Sequence, residues 1–183
     1  MSKEMVKNPT RLFPFASAMV TCVGKEGKPN IISVGYITFA CYDPPIIGVG
    51  VGTTRYSNKL LRETNEFVVN LPKSGQELIM DYCGFVSGYN VDKFKQSGLT
   101  PSKGTAVSAP LIKECPINYE CKVMKVIPLG THDFFLGEVV ATHVEEQYVG
   151  QMESYIPIIL LSQAYRGADD SLAMFGESGG CPV

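Results

Sequence analysis

Neither sign of charge dominates this sequence: 16 lysines and arginines against 18 acids leave a net charge of −2 over 183 residues, with a pI near 5.7. The basic footprint of a nucleic-acid binder is therefore missing. Long apolar runs are missing too, since a stretch such as "YIPIILL" at Tyr155 to Leu161 is far short of a membrane span and contains proline. The opening "MSKEMVKNPT" has charge but no apolar core behind it, so no signal peptide is expected. The six cysteines (Cys22, Cys41, Cys83, Cys115, Cys121 and Cys181) are scattered, and only two histidines accompany them. That spacing excludes the close ligand pairs of a structural zinc site, and no metal is expected. A chain of this size needs no disulfide staples, so reduced thiols in a cytoplasmic protein are the expectation. No G-x-S-x-G elbow, H-E-x-x-H or Walker pattern occurs, which leaves hydrolysis without machinery.

What is present suits one well-packed soluble domain, with a hydrophobic fraction of 45% and a charged fraction of 19%. Turn signals separate apolar, β-rich stretches: Ser17–Gly24, Ile31–Tyr42, Ile46–Val51 and Glu66–Pro72. A long hairpin, Ile117–Ile127 and Asp133–Glu145, flanks the turn "PLGTH", and Ile156–Ser162 is a last strand. Helical signals are short and lie at Ser57–Thr64, Ser74–Gly84 and Val91–Gly98, the last ending on glycine. Many strands and few helices, without βαβ alternation, predict a mainly β protein: a closed or nearly closed antiparallel barrel with added helices.

Three features carry chemistry. In "IIGVGVG" the glycines Gly48, Gly50 and Gly52 share one face of a strand, while Ile47, Val49 and Val51 share the other. A bare face admits close packing or a close ligand. The pattern is not a dinucleotide fingerprint, because the third glycine is replaced by Thr53. Next, Arg55 and Lys59 bracket the start of a helix with Ser57 as its expected cap. Two cations there oppose the helix dipole unless an anion reverses the sign. The alternative is that both reach into water or pair with Glu63 or Glu66. Finally, His132 sits at a hairpin tip beside Asp133, an acid suited to hold its tautomer. It reads either as a solvated turn residue or as an imidazole aimed at a site. A phosphate handle with little acid–base machinery suits a cofactor that brings its own reactivity.

Six motifs run in order: "PNIISVGYI" (Pro29–Ile37), "PPIIGVGV" (Pro44–Val51), "TRYSNKLL" (Thr54–Leu61), "EFVVNLP" (Glu66–Pro72), "SGYNVDKFKQSGLT" (Ser87–Thr100) and "GTHDFFLGEVV" (Gly130–Val140). Together they resemble the flavin reductase-like FMN-binding split-barrel family, most closely its flavoredoxin type. The resemblance spans roughly residues 10–167 of a single domain and leaves 168–183 as a tail. It implies a homodimeric split β-barrel with FMN near the subunit interface. Asn30, Ser33, Tyr36 and Thr38 would line the flavin or its ribityl chain. Arg55, Ser57 and Lys59 would hold the phosphate, and Lys93 would make another flavin contact. His132 would lie beside the isoalloxazine where the nicotinamide or substrate sits, Tyr165 would pack on the ring, and Cys41 would face it. The implied activity is hydride transfer from NADH or NADPH to FMN, with electrons passed to flavin, ferric iron or a redox partner. The alternative is an FMN-binding electron-transfer protein without nicotinamide activity. The chain departs from relatives with tryptophan near Tyr36, since it contains none.

Overall fold

A computed structural model describes residues 14–151, 155, 158–161, 164–166 and 172–174. Its centre is a seven-stranded antiparallel sheet. In chain order the strands are β2 (Ala18–Val23), β3 (Pro29–Val34), β4 (Ile37–Tyr42), β5 (Pro45–Gly52), β6 (Glu66–Leu71), β9 (Ile117–Pro128) and β10 (His132–Val144). Laid side by side they read β3-β2-β6-β9-β10-β5-β4. A second sheet joins β1 (Pro14–Ala16), β11 (Ile159–Leu161), β12 (Ala164–Arg166) and β13 (Leu172–Met174), while β7 (Pro101–Ser102) pairs with β8 (Leu111–Ile112). The last strand, β13, falls in what the sequence reads as tail. The helices are α1 (Tyr56–Thr64), α2 (Glu77–Phe85) and α3 (Lys93–Ser97). No described helix is long and apolar enough to cross a membrane.

The mainly β split barrel expected from the sequence is the observed architecture. Its interior holds Val20, Val49, Phe67 and Phe135, each fully buried, and Leu60 and Leu61 of α1 pack onto the same cluster. The single strand expected over Ile31–Tyr42 is two strands instead. β3 pairs with β2 at one edge of the sheet and β4 pairs with β5 at the other, so the chain crosses the open side at Gly35 and Tyr36. The Gly50 amide donates to the Tyr36 carbonyl at 2.7 Å, which draws the crossing onto β5. Closing the sheet needs this bend, and one continuous strand would stay on one edge.

The bare face of β5 is a packing face. A Cβ at Gly48 would overlap the Phe134 ring, and one at Gly50 would lie 2.8 Å from Tyr36 Cβ. Ile47, Val49 and Val51 on the opposite face are buried in the barrel. Of the cysteines, Cys22, Cys83, Cys115 and Cys121 are buried small hydrophobes, and burial pushes the thiols of Cys22, Cys83 and Cys121 up to about 12. Cys181 lies outside the described residues.

Candidate functional site

The start of α1 is where distant parts of the chain meet. Arg55, not Ser57, is the cap residue. Its backbone is extended (φ −75°, ψ 141°), its amide donates to the Gly52 carbonyl at 3.0 Å, and its carbonyl accepts from the Asn58 amide at 3.0 Å. Its side chain makes no cap bond, so the guanidinium is left to the surroundings. Ser57 falls inside the first turn, where a side chain can turn inward; it is 1% exposed, and its hydroxyl accepts from Asn30 Nδ2 at 2.7 Å. The amides of a first helical turn lack intrahelical acceptors and carry the positive pole of the dipole.

Asn30, Arg55 and Ser57 line one cleft with Lys93 and the loop Val86–Gly88. Lys93 opens α3, is 4% exposed, and donates to the carbonyls of Ile31 at 2.7 Å and Cys83 at 2.6 Å. An ammonium has three donors, so one remains for the cleft. Burial pushes Lys93 down to about 8. The roof is set by Gly88, where a Cβ would overlap Asn30 Oδ1 and lie 2.8 Å from Tyr56 Cδ1. A glycine is required there because backbone and side chains already touch.

His132 lies near the Arg55 edge of this cleft. A Cβ at Gly52 would lie 3.3 Å from Arg55 Cγ and 3.7 Å from His132 Nε2. His132 pairs with Gly52 across β10 and β5, bonds Thr131 Oγ1 through Nδ1 at 2.9 Å, and meets the Tyr36 ring edge-on at 5.1 Å. It is the first residue of β10 and not the tip of the turn, which belongs to Gly130 with φ +77°.

Asp133 does not hold the His132 tautomer. Neighbouring strand residues face opposite sides, and Asp133 is buried behind the strand, accepting from Asn58 Nδ2 at 2.9 Å and Arg62 Nη2 at 2.7 Å. Those two bonds hold its carboxyl below the ordinary range and lock α1 to β10. This lock, and the Ser87–Gly88 roof within an already quoted motif, escaped the sequence reading; an Asn and an Arg four apart on one helix face, opposite a strand acid, were the available signal.

The remaining expected site residues lie elsewhere. Lys59 is an exposed partner of Glu63 at 3.7 Å, the alternative that the sequence left open. Ser33 donates its hydroxyl to the Met80 carbonyl of α2 at 2.5 Å. Thr38, on exposed β4, donates to the Phe39 carbonyl at 3.0 Å. Cys41 donates to the Asp43 carbonyl at 3.3 Å, and its partner on β5 is Ile46, six residues from Gly52. That separation is about 20 Å along the strand. Tyr165 pairs with Leu160 in the second sheet, and its side chain lies outside the described residues. Among the described residues no group of three or more His, Cys, Asp or Glu side chains is arranged for a metal.

Comparison with known proteins places this architecture. The model of the flavin reductase-like domain matches residues 10–168. The chain belongs to the flavin reductase-like family. Within that family it is similar to flavoredoxins. The flavoredoxin of Desulfovibrio vulgaris (Miyazaki F) superposes with a TM-score of 0.84 at 27% identity, covering 98% of this chain and 100% of that one. The flavoredoxin of Methanosarcina acetivorans gives 0.79 at 33% identity, covering 99% and 96%. An NADH:riboflavin 5'-phosphate oxidoreductase of Streptomyces pristinaespiralis is 24% identical over 119 residues, 65% of each chain. The family match ends before β13, which extends the second sheet beyond it.

Proposed function

We propose that this chain is an FMN-dependent oxidoreductase that accepts electrons from NADH or NADPH and passes them to flavin, ferric iron or a redox protein. One observation carries the reading: Asn30, Arg55 and Ser57 at the start of α1, and Lys93, from three separate stretches of sequence, line one cleft, with His132 and Tyr36 close to its Arg55 edge. Donor chemistry of this kind fits a phosphate dianion, since amides, hydroxyl and two cations all gain from negative charge. The uncompensated guanidinium at a helix start is the feature that otherwise costs stability.

Bound flavin supplies the one- and two-electron chemistry. The protein's part is binding and orientation. Arg55 and Lys93 would hold the phosphate end, with the Ser57 hydroxyl fixed by Asn30. Tyr36 and His132, an edge-to-face pair near the Arg55 edge of the cleft, would border the flat ring. His132, held through Nδ1 by Thr131, presents Nε2 toward Gly52 and is the group suited to shuttle a proton there. A nicotinamide coenzyme would lie in an open groove, since no dinucleotide-binding βαβ unit occurs among the described residues.

The working state on this reading is a homodimer. Among the described residues strand β4 is a sheet edge with Phe39 and Tyr42 exposed at 50% and 92%, and an apolar cavity of about 330 Å³ lined by Ile37, Phe39, Leu71 and Tyr119 adjoins it. Unpaired apolar edges of this kind are normally covered. The free thiols of the five described cysteines suit the cytoplasm.

Titration of the purified apoprotein with FMN is expected to give a saturable one-to-one complex, and anaerobic NADH or NADPH to bleach its visible absorbance. Failure to bind FMN sinks the proposal; binding without bleaching turns it into an electron carrier. Gly88→Ala is expected to weaken FMN binding and to lower stability by about 1–3 kcal/mol, because the added methyl collides with Asn30 and Tyr56 together. Thermal melts beside the titration check both effects.

A further inference from the structure

The start of α1 brings Arg55 and Ser57 to the cleft, and the helix is held in place from behind the sheet. At its far end Thr64 Oγ1 donates to the Val23 carbonyl of β2 at 3.0 Å. At its near end the Arg55 amide donates to the Gly52 carbonyl at 3.0 Å, and a single bond of that kind fixes a position but not an angle. Asn58, in the first turn, is 4% exposed and donates Nδ2 to the Val51 carbonyl at 3.1 Å and to Asp133 Oδ2 at 2.9 Å. Arg62, one turn further on, donates Nη2 to the same oxygen at 2.7 Å. Its guanidinium also lies over the Phe135 ring of β10, 5.9 Å from the centroid.

Asp133 thus joins the two halves of the site from a place outside it. His132, directly before it in β10, pairs with Gly52, and Asp133 pairs with Val51, whose carbonyl Asn58 also holds. Alternation turns His132 to one side of the strand and Asp133 to the other, onto the helix. Apolar packing alone would bury α1 as well, but it is not directional and leaves the tilt of a helix weakly specified. A buried charge pair is weak evidence for stability, and its best-attested use is to fix one arrangement among several.

We propose that Asp133 is a positioning residue for the flavin phosphate: through Asn58 and Arg62 it sets the tilt of α1 and so holds Arg55 at the right reach from the His132 end of the site. The proposal rests on the flavin reading above and concerns a side chain that lies behind the strand, away from the cleft. With the clamp broken, α1 stays folded on the core through Leu60, Leu61 and Thr64, while its start is free to tilt. The ring end of the ligand then keeps its contacts and the phosphate end loses part of its own.

Asp133→Asn removes the charge and keeps the shape. In fluorescence titrations of the full-length apoprotein it is expected to weaken FMN binding about tenfold and riboflavin binding by less than about twofold. On an Arg55→Ala background the same change is expected to cost FMN less than about threefold, because two changes that act on one contact do not add. Arg62→Met alters a side chain that is 48% exposed and is expected to weaken FMN by about threefold or more, again sparing riboflavin. Equal losses for FMN and riboflavin overturn the proposal, since they make the role merely structural. Wild-type FMN affinity in both variants overturns it too, as does an undiminished tenfold loss in the absence of Arg55. Should Asp133→Asn fail to fold, Arg62→Met, alone and with Arg55→Ala, decides by the same comparisons. Failure of the wild type to bind FMN removes the underlying flavin reading, a result distinct from every outcome among the variants.

Discussion

Arg55→Ala is expected to lower FMN affinity by about 10–100-fold, the worth of one charge-assisted contact to a phosphate, while the melting temperature stays nearly unchanged. The reasoning separates the two readouts. The Arg55 side chain is exposed and makes no cap hydrogen bond, so the fold loses little without it. Removing a cation from the positive end of a helix slightly stabilises the free protein. Binding, in contrast, loses the cation of a side chain that lines the cleft. Lys59→Ala serves as the comparison. Its ammonium pairs with Glu63 on an exposed helix face, a contact worth a few tenths of a kcal/mol, so its loss is expected to change FMN affinity by less than about threefold. Riboflavin, which lacks the phosphate, is expected to bind the Arg55 variant and the wild type alike. Equal FMN affinity in the Arg55 variant and wild type, by fluorescence titration, would falsify the phosphate assignment.

Glu120→Gln is expected to cost about 2–4 kcal/mol of stability, because the amide replaces an acceptor oxygen by a donor where several donors converge. Glu120 is fully buried in β9. It accepts from the Thr105 amide at 2.8 Å, the Thr105 hydroxyl at 2.9 Å, the Ala106 amide at 2.7 Å and the Val107 amide at 2.8 Å. His143 reaches it from β10 at 2.6 Å. Gly104 leaves room for the carboxylate, since a Cβ there would lie 2.6 Å from Oε2. Burial by itself would raise this carboxyl, but the Thr105 amide, His143 and the Ala106 amide outweigh it and bring it down to about 2 from an ordinary 4.5. A depressed carboxyl contributes stability above its unfolded pKa and loses it as pH falls through the folded one. The gap between wild type and Glu120→Gln is therefore expected to be full above pH 4.5 and to close toward pH 2. Urea unfolding at several pH values reads this directly, and a gap independent of pH would place the effect in packing alone.

The two charged clusters show why one site was readable and the other was not. Arg55 and Lys59 stand four apart in the chain, and the conflict of both with a helix dipole is a local matter. Their fates differ because Glu63 lies one turn after Lys59 and the Gly52 turn holds Arg55 on the cleft side. Lys93 became part of the cleft through two carbonyls, one on β3, 62 residues away, and one near the end of α2, ten residues away. Glu120 and His143 carried no local signal, since each is a polar residue in an otherwise alternating strand. Only the pairing of β9 with β10 and the return of the 105–107 loop bring their partners together.

Alternation, turn residues and helix signals act over a few residues, and they were enough to locate β2, β5, β6, β9, β10 and β11, the three helices, the barrel class and the bare face of β5. The six ordered motifs carried the family. Sheet closure decided the rest: the break at Gly35 and Tyr36, the burial of Asp133 away from His132, the turning of Ser57 toward Asn30, and the meeting of Lys93 with the start of α1. These depend on which edges meet across the barrel and on the cost of burying a polar group without a partner. Both are sums over contacts from the whole chain, so no short stretch contains them.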